Sequence, residues 1–199
     1  MSLYDSQKSA PIDRRTAGPL DISEVQDVKP FIDFGSIRIP PRDNLQMRLE
    51  VEEDTQRIVA VAMDLNESTL QLQAFAAPKN EGVWHEIRAQ MQQGIISQGG
   101  ETEERVGSLG PELVAKIPIR DEMGNVAGHR LARFVGVDGP KWFLRGVIGG
   151  AALHNPAASA DIDDLFRSVV VVRDDTPLPP KDLLVLNVPG GTIAPPRKI

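Results

Sequence analysis

Leu45-Gln46-Met47-Arg48-Leu49-Glu50-Val51 alternates apolar and polar side chains without a break. Successive side chains of a strand point to opposite faces, so the run reads as a half-buried β-strand with Leu45, Met47, Leu49 and Val51 inward. The same period continues on both sides of it. Residues 35–39 read as a short strand stopped by Pro40-Pro41. Residues 56–63 are almost continuously apolar and rich in valine, which predicts a central strand. After the turn at Asn66-Glu67-Ser68, Leu70, Leu72 and Ala74 alternate with Gln71 and Gln73. Consecutive strands with short connections predict an antiparallel sheet.

The period then changes. Trp84, Ile87, Met91 and Ile95 recur at helical spacing, which predicts a helix over 80–98 with Asn80 as N-cap and Gly99-Gly100 as its end. Strands follow at 101–106 and 112–119, joined near Gly107-Ser108-Leu109-Gly110-Pro111. The loop Asp121-Glu122-Met123-Gly124-Asn125 leads to a strand over 127–137, and Asp138-Gly139-Pro140 connects that strand to one over 141–148. Ser159 or Asp161 is the expected cap of a second helix, whose apolar stripe is Ile162, Leu165, Phe166, Val169 and Val170. The predicted fold is α+β: a mostly antiparallel β-sheet covered by two amphipathic helices, formed by residues 31–174 as a single domain. Residues 1–30 are polar and broken by proline and glycine, so they read as a flexible lead-in from which Leu20-Asp21-Ile22 could dock. Residues 175–199 read as a Pro-rich extended C-terminal tail, partly docked through 183–188.

The 199 residues are long enough for one well-buried core, and 41% hydrophobic with 25% charged is ordinary for a globular protein. The absence of cysteine excludes disulfides, thiolate metal sites and cysteine nucleophiles. The N-terminus does not resemble a signal peptide, and no stretch approaches the roughly 20 apolar residues that a membrane helix needs. A cytoplasmic protein without membrane attachment is expected. The net charge of −6 and pI near 5.1 argue against a nucleic-acid partner, which would call for a basic surface.

No motif assigns a reaction. His85, His129 and His154 are far apart and none has ligand spacing, so no metal is expected. Asp161, Asp163 and Asp164 read as first-turn acids favoured by the helix dipole. Gly146-Val147-Ile148-Gly149-Gly150 lacks the following phosphate-loop pattern and reads as tight packing or a bulge. There is no GxSxG or SxxK, and Ser108 lies in a turn. Glu101, Glu103 and Glu104 fit an exposed strand edge as well as acid–base chemistry. No catalytic residue and no cofactor are expected.

The most unusual run is Arg133-Phe134-Val135-Gly136-Val137-Asp138-Gly139-Pro140-Lys141-Trp142-Phe143-Leu144-Arg145-Gly146. A three-residue loop at 138–140 would pair Val137 with Lys141 and set Arg133 opposite Arg145 on one face. Like charges there repel, so the pair needs an intervening anion. A carboxylate from Asp138, Glu112 or one of Glu101, Glu103 and Glu104 would make the site structural. An external anion or acidic partner would make Arg133, Lys141, Trp142 and Arg145 a binding site.

This run, with Asp163-Asp164-Leu165-Phe166, Trp84-His85-Glu86-Ile87-Arg88 and Pro177-Leu178-Pro179-Pro180, resembles the actinobacterial domain-of-unknown-function family number 3710 over about residues 31–188. The resemblance implies a cytosolic bacterial protein and supplies no catalytic motif. The element order is also similar to the sandwich of PsbP-like and Mog-type Ran-binding proteins, folds that mostly bind partners. The expected function is therefore that of a non-enzymatic binding or adaptor protein whose partner is another protein. The alternative is a small-molecule or anion-binding domain, even a cryptic enzyme, using the arginine-bearing hairpin.

Overall fold

The computed structural model describes residues 6–190 and 194–198, and the chain enters the fold earlier than its composition suggests. A single helical turn, α1 (Arg14–Ala17), precedes strand β1 (Leu20–Asp21), which pairs in parallel with Val170–Val171. The segment read as a lead-in is thus tied down over residues 14–24. Arg14 and Asp21 are buried, and Asp21 caps a 3-10 turn at Ile22–Glu24 through a reciprocal capping box with Glu24. Glu24 pairs with Arg14 and accepts the Asp21 N–H, and this satisfaction of buried polar groups explains why a polar segment can dock.

Short strands β2 (Ile32–Asp33) and β3 (Ile37–Ile39) follow, then β4 (Leu45–Val51), β5 (Ile58–Leu65) and β6 (Ser68–Ala76). Helix α2 (Trp84–Ser97) leads into the meander β7 (Glu101–Gly107), β8 (Gly110–Arg120), β9 (Val126–Asp138) and β10 (Trp142–Gly150). Helix α3 (Pro156–Arg167), strand β11 (Val170–Val171) and strand β12 (Ala194–Lys198) complete the order.

The large sheet runs β12-β4-β5-β6-β10-β9-β8-β7 and is antiparallel except for β12 beside β4. The small mixed sheet runs β1-β11-β3-β2, so its strands come from both ends of the chain. Each layer covers a different face. Ile37 and Ile39 of the small sheet and Ile162, Leu165 and Phe166 of α3 pack with Leu49, Val61, Leu70, Leu72, Val135 and Leu144 of the large sheet in the main core. On the opposite face, α2 packs Trp84 and Ile95 with Leu113, Ala115, Phe134 and Phe143, and Ile87 and Met91 pack against that second cluster. Gly136 makes this possible, because a Cβ there would lie 2.5 Å from the indole of Trp84.

Both helix starts differ from expectation. Asn80 does not cap α2, whose N-cap position is Val83, and no side chain of its own segment closes it. Helix α3 starts earlier than expected: Asn155 caps it through the N–H groups of Ala157 and Ala158, and Pro156 takes the first helical position, where its missing N–H costs nothing. Asp161, Asp163 and Asp164 therefore lie beyond the first turn. Asp163 and Asp164 are held by arginines, not by the helix dipole. Leu184 and Leu186 are buried, and Leu183 and Leu186 are bridged to Phe75 and Gly35.

Candidate functional site

The β9–β10 hairpin does not have the expected register. Phe143 pairs with Asp138, so Arg145 faces Gly136 and Arg133 faces Ile148. The odd shift places the two guanidiniums on opposite faces of the sheet. The turn explains the difference. Gly139 N–H donates to the Trp142 carbonyl at 2.8 Å, leaving Pro140-Lys141 as the two central residues, and Lys141 itself takes the left-handed φ of 57°. Gly139 is spent on packing: a Cβ there would meet the Trp142 ring at 2.2 Å.

The four candidate residues thus separate. Arg133 is 3% exposed and sits on the α3 face between two carboxylates, donating to Asp163 at 2.5 Å and to Glu112 at 3.5 Å. Glu112 is also buried and takes Arg105 Nε at 2.6 Å, while Ser108 Oγ donates to Asp163 at 2.6 Å. Glu112 is one of the acids named from the sequence as a compensator, and this cluster joins β7, β8, β9 and α3. Trp142 is fully buried, and its Nε1 donates to Asp21 at 2.9 Å with the Arg14 guanidinium 5.8 Å above its ring. Lys141 is exposed at the rim of a surface hollow with Arg173, Asp174 and Pro177. Only Arg145 stands on a polar face.

Arg145 projects on the α2 side, half-buried, in a cross-strand row with Gln73 and Gly136. Its Nη2 donates to Gln73 Oε1, its guanidinium lies 5.4 Å from the Phe75 ring centroid, and its buried Nε has no partner. Burial pushes this guanidinium below its ordinary value, and no carboxylate of the described residues offsets that cost. The strands beyond continue the polar face. Gln71 donates to buried Glu50, Arg48 pairs with Asp64, and Gln73 Nε2 donates to the Val59 carbonyl at 3.0 Å. Helix α2 packs on β7, β8 and β9 and stops short of this half of the sheet. A groove of about 200 Å³ lies there, lined by Arg48, Glu50, Gln71, Arg130, Leu131 and Gly149. Small residues at Ala62, Ala132 and Gly149 keep its floor low.

Sequence reasoning found Arg145 and assigned it the wrong company. It missed Gln71 and Gln73, whose signal was a glutamine on every second position of a strand otherwise read for its apolar residues, and Glu50, which read as one polar residue of an alternating strand. Among the described residues, no cluster of three or more His, Asp or Glu is placed to hold a metal ion, and no helix is long and apolar enough to cross a membrane.

Fold and site define an α+β protein in which two staggered covers leave a polar half-face of an antiparallel sheet beside a helix. The model of the family described as protein of unknown function (DUF3710) matches residues 18–194, and the chain belongs to that family. No curated protein and no solved structure matches it.

Proposed function

We propose that this is a non-enzymatic binding protein of the bacterial cytoplasm, and that it engages another protein through the polar sheet face centred on Arg145. One observation carries the reading: a half-buried guanidinium with a neutral amide and a ring as its neighbours and no carboxylate partner among the described residues, on a protein of net charge −6. Desolvating a cation without a counterion is unfavourable, and an acidic group on a partner would relieve it while gaining a charge-assisted hydrogen bond. The net negative charge supports a protein over a nucleic acid as the partner. The likeness of the element order to PsbP-like and Mog-type Ran-binding proteins supports binding over catalysis, by fold-level analogy.

The test is a pull-down from native bacterial lysate with the full chain and with Arg145→Ala as baits. A partner captured by the first and lost by the second, with both baits equally folded, is the expected result. Identical capture by both sinks the reading. A second reading is a small anion on the same sheet face, favoured by a groove whose lining includes Arg48 and Arg130. A thermal-shift screen with carboxylates and phosphorylated metabolites separates the two, since a specific ligand raises the melting temperature by linkage.

A further inference from the structure

We infer that the free edge of β9, over Val126–Ala132, receives an extended acidic segment of the partner protein as an added strand. The inference rests on the partner-binding reading above and names how the partner would seat. The first observation is the pairing. Strand β9 pairs with β8 from Val126 onward, yet with β10 only from Arg133 to Asp138. Beyond Ile148 the tenth strand leaves its neighbour: Gly150 takes a φ of 75° and the chain enters a 3-10 turn at Ala151–Leu153. Among the described residues, one side of the Val126–Ala132 backbone is therefore left without a partner strand. Such a row of N–H and C=O groups is a template for strand addition.

The second observation is the chemistry along this edge. The terminal strand β7 carries Glu101, Glu103 and Glu104, charges that deter pairing with another acidic chain. The β9 edge has no carboxylate. It presents His129 and Arg130 between Val126, 51% exposed, and Leu131, 41% exposed. No described carboxylate pairs with Arg130, which also walls the groove lined by Arg48 and Gln71. Acidic side chains on an added strand would meet Arg130, and apolar ones would cover Val126 and Leu131. A second copy is the poorer occupant, because antiparallel pairing of two such edges brings His129 and Arg130 of both chains together.

The experiment uses the full chain and a short end-blocked peptide in which glutamate alternates with valine, with its lysine-for-glutamate counterpart as control. Binding is read by fluorescence anisotropy and the contact by amide hydrogen exchange. The glutamate peptide is expected to bind, to slow exchange about tenfold within residues 126–132, and to bind about tenfold more weakly to Arg130→Glu, whose melting temperature stays unchanged. Equal binding of the lysine peptide, or binding of neither, overturns the inference. Binding that leaves 126–132 unprotected also overturns it, and if Arg145→Ala abolishes that binding the partner reading stands without strand addition. Protection of 126–132 that survives Arg145→Ala upholds the added strand and sinks the role of Arg145. Concentration-dependent protection of the same amides without peptide would assign the edge to a second copy instead.

Discussion

Asp138, at the end of β9, caps helix α2 from outside it: its Oδ1 accepts the Val83 N–H at 3.0 Å across 55 positions of sequence. Its other oxygen accepts Ser9 N–H at 2.9 Å, so one buried carboxylate fastens the helix start and the N-terminal segment to the same hairpin. Lys8 donates to the carbonyls of Pro78 and Gly139 beside it.

Removing that carboxylate loosens both attachments. Asp138→Ala is expected to cost about 1–3 kcal/mol, the range for a lost cap plus an unsatisfied buried donor. Asp138→Asn keeps an acceptor for Val83 and turns an amide toward Ser9, so its cost falls between. Denaturant unfolding checks the order, and faster exchange at Ser9 in both variants checks the cause.

Acid should act on Asp138 in the unusual direction. Burial holds its carboxyl above the ordinary range, against the N–H groups of Val83, Ser9 and Trp84 and the attraction of Lys8. The folded state therefore takes the proton more readily than the unfolded chain. Its contribution to stability is full below the ordinary aspartate value and is lost as pH rises through the raised one. Subtracting the pH–stability curve of Asp138→Asn from that of the parent should leave a component falling with pH in this window; a component rising with pH would contradict it.

Trp142 governs the docking of residues 14–24. Trp142→Phe keeps most of the buried ring and deletes the hydrogen bond to Asp21, leaving a buried carboxylate oxygen short of a donor. A cost of about 1–3 kcal/mol is expected. Leu20, whose N–H donates to the Val169 carbonyl at 3.1 Å, should lose exchange protection before the strands of the large sheet do.

The two arginines of the hairpin should respond oppositely to the loss of charge. Arg133→Met leaves Glu112 with Arg105 as its one cation and Asp163 with the Ser108 hydroxyl, and should cost about 3–5 kcal/mol. Arg145→Met removes a cation that no described carboxylate holds and should stay within about 1 kcal/mol of the parent, since replacing an uncompensated half-buried charge by an apolar chain removes a desolvation cost. Equal destabilisation by both would mean that Arg145 is held by something other than Gln73 and Phe75.

Much of this was legible from side-chain period. Strands β4, β6, β8, β9 and β10 and the Trp84–Ile95 stripe were found because burial repeats every two or every three to four residues. What period cannot carry is register. Whether Gly139 or Lys141 takes the left-handed place of the turn is decided by the Trp142 ring, a contact made only after folding. That decision moved Arg133 to a different face from Arg145. Long-range satisfaction of buried polar groups was equally invisible: Asp138 to Val83, Asp21 to Trp142 and Arg133 to Asp163 join elements through residues that look solvent-facing in sequence. Asn155-Pro156 was a readable helix start that the acids downstream obscured.

The small sheet has a consequence for synthesis. Its inner strand, Val170–Val171, binds Leu20–Asp21 on one side and Ile37–Arg38 on the other. A nascent chain emerging N-terminus first thus carries Ile37 and Arg38 without their Val170–Val171 neighbour until nearly all of the fold has left the ribosome. Closure joins segments about as far apart as the chain allows, the most costly kind of loop to close and the slowest to find. The growing chain should expose that apolar edge to chaperones throughout translation, and Val170–Val171 acts as the latch that ends the exposure.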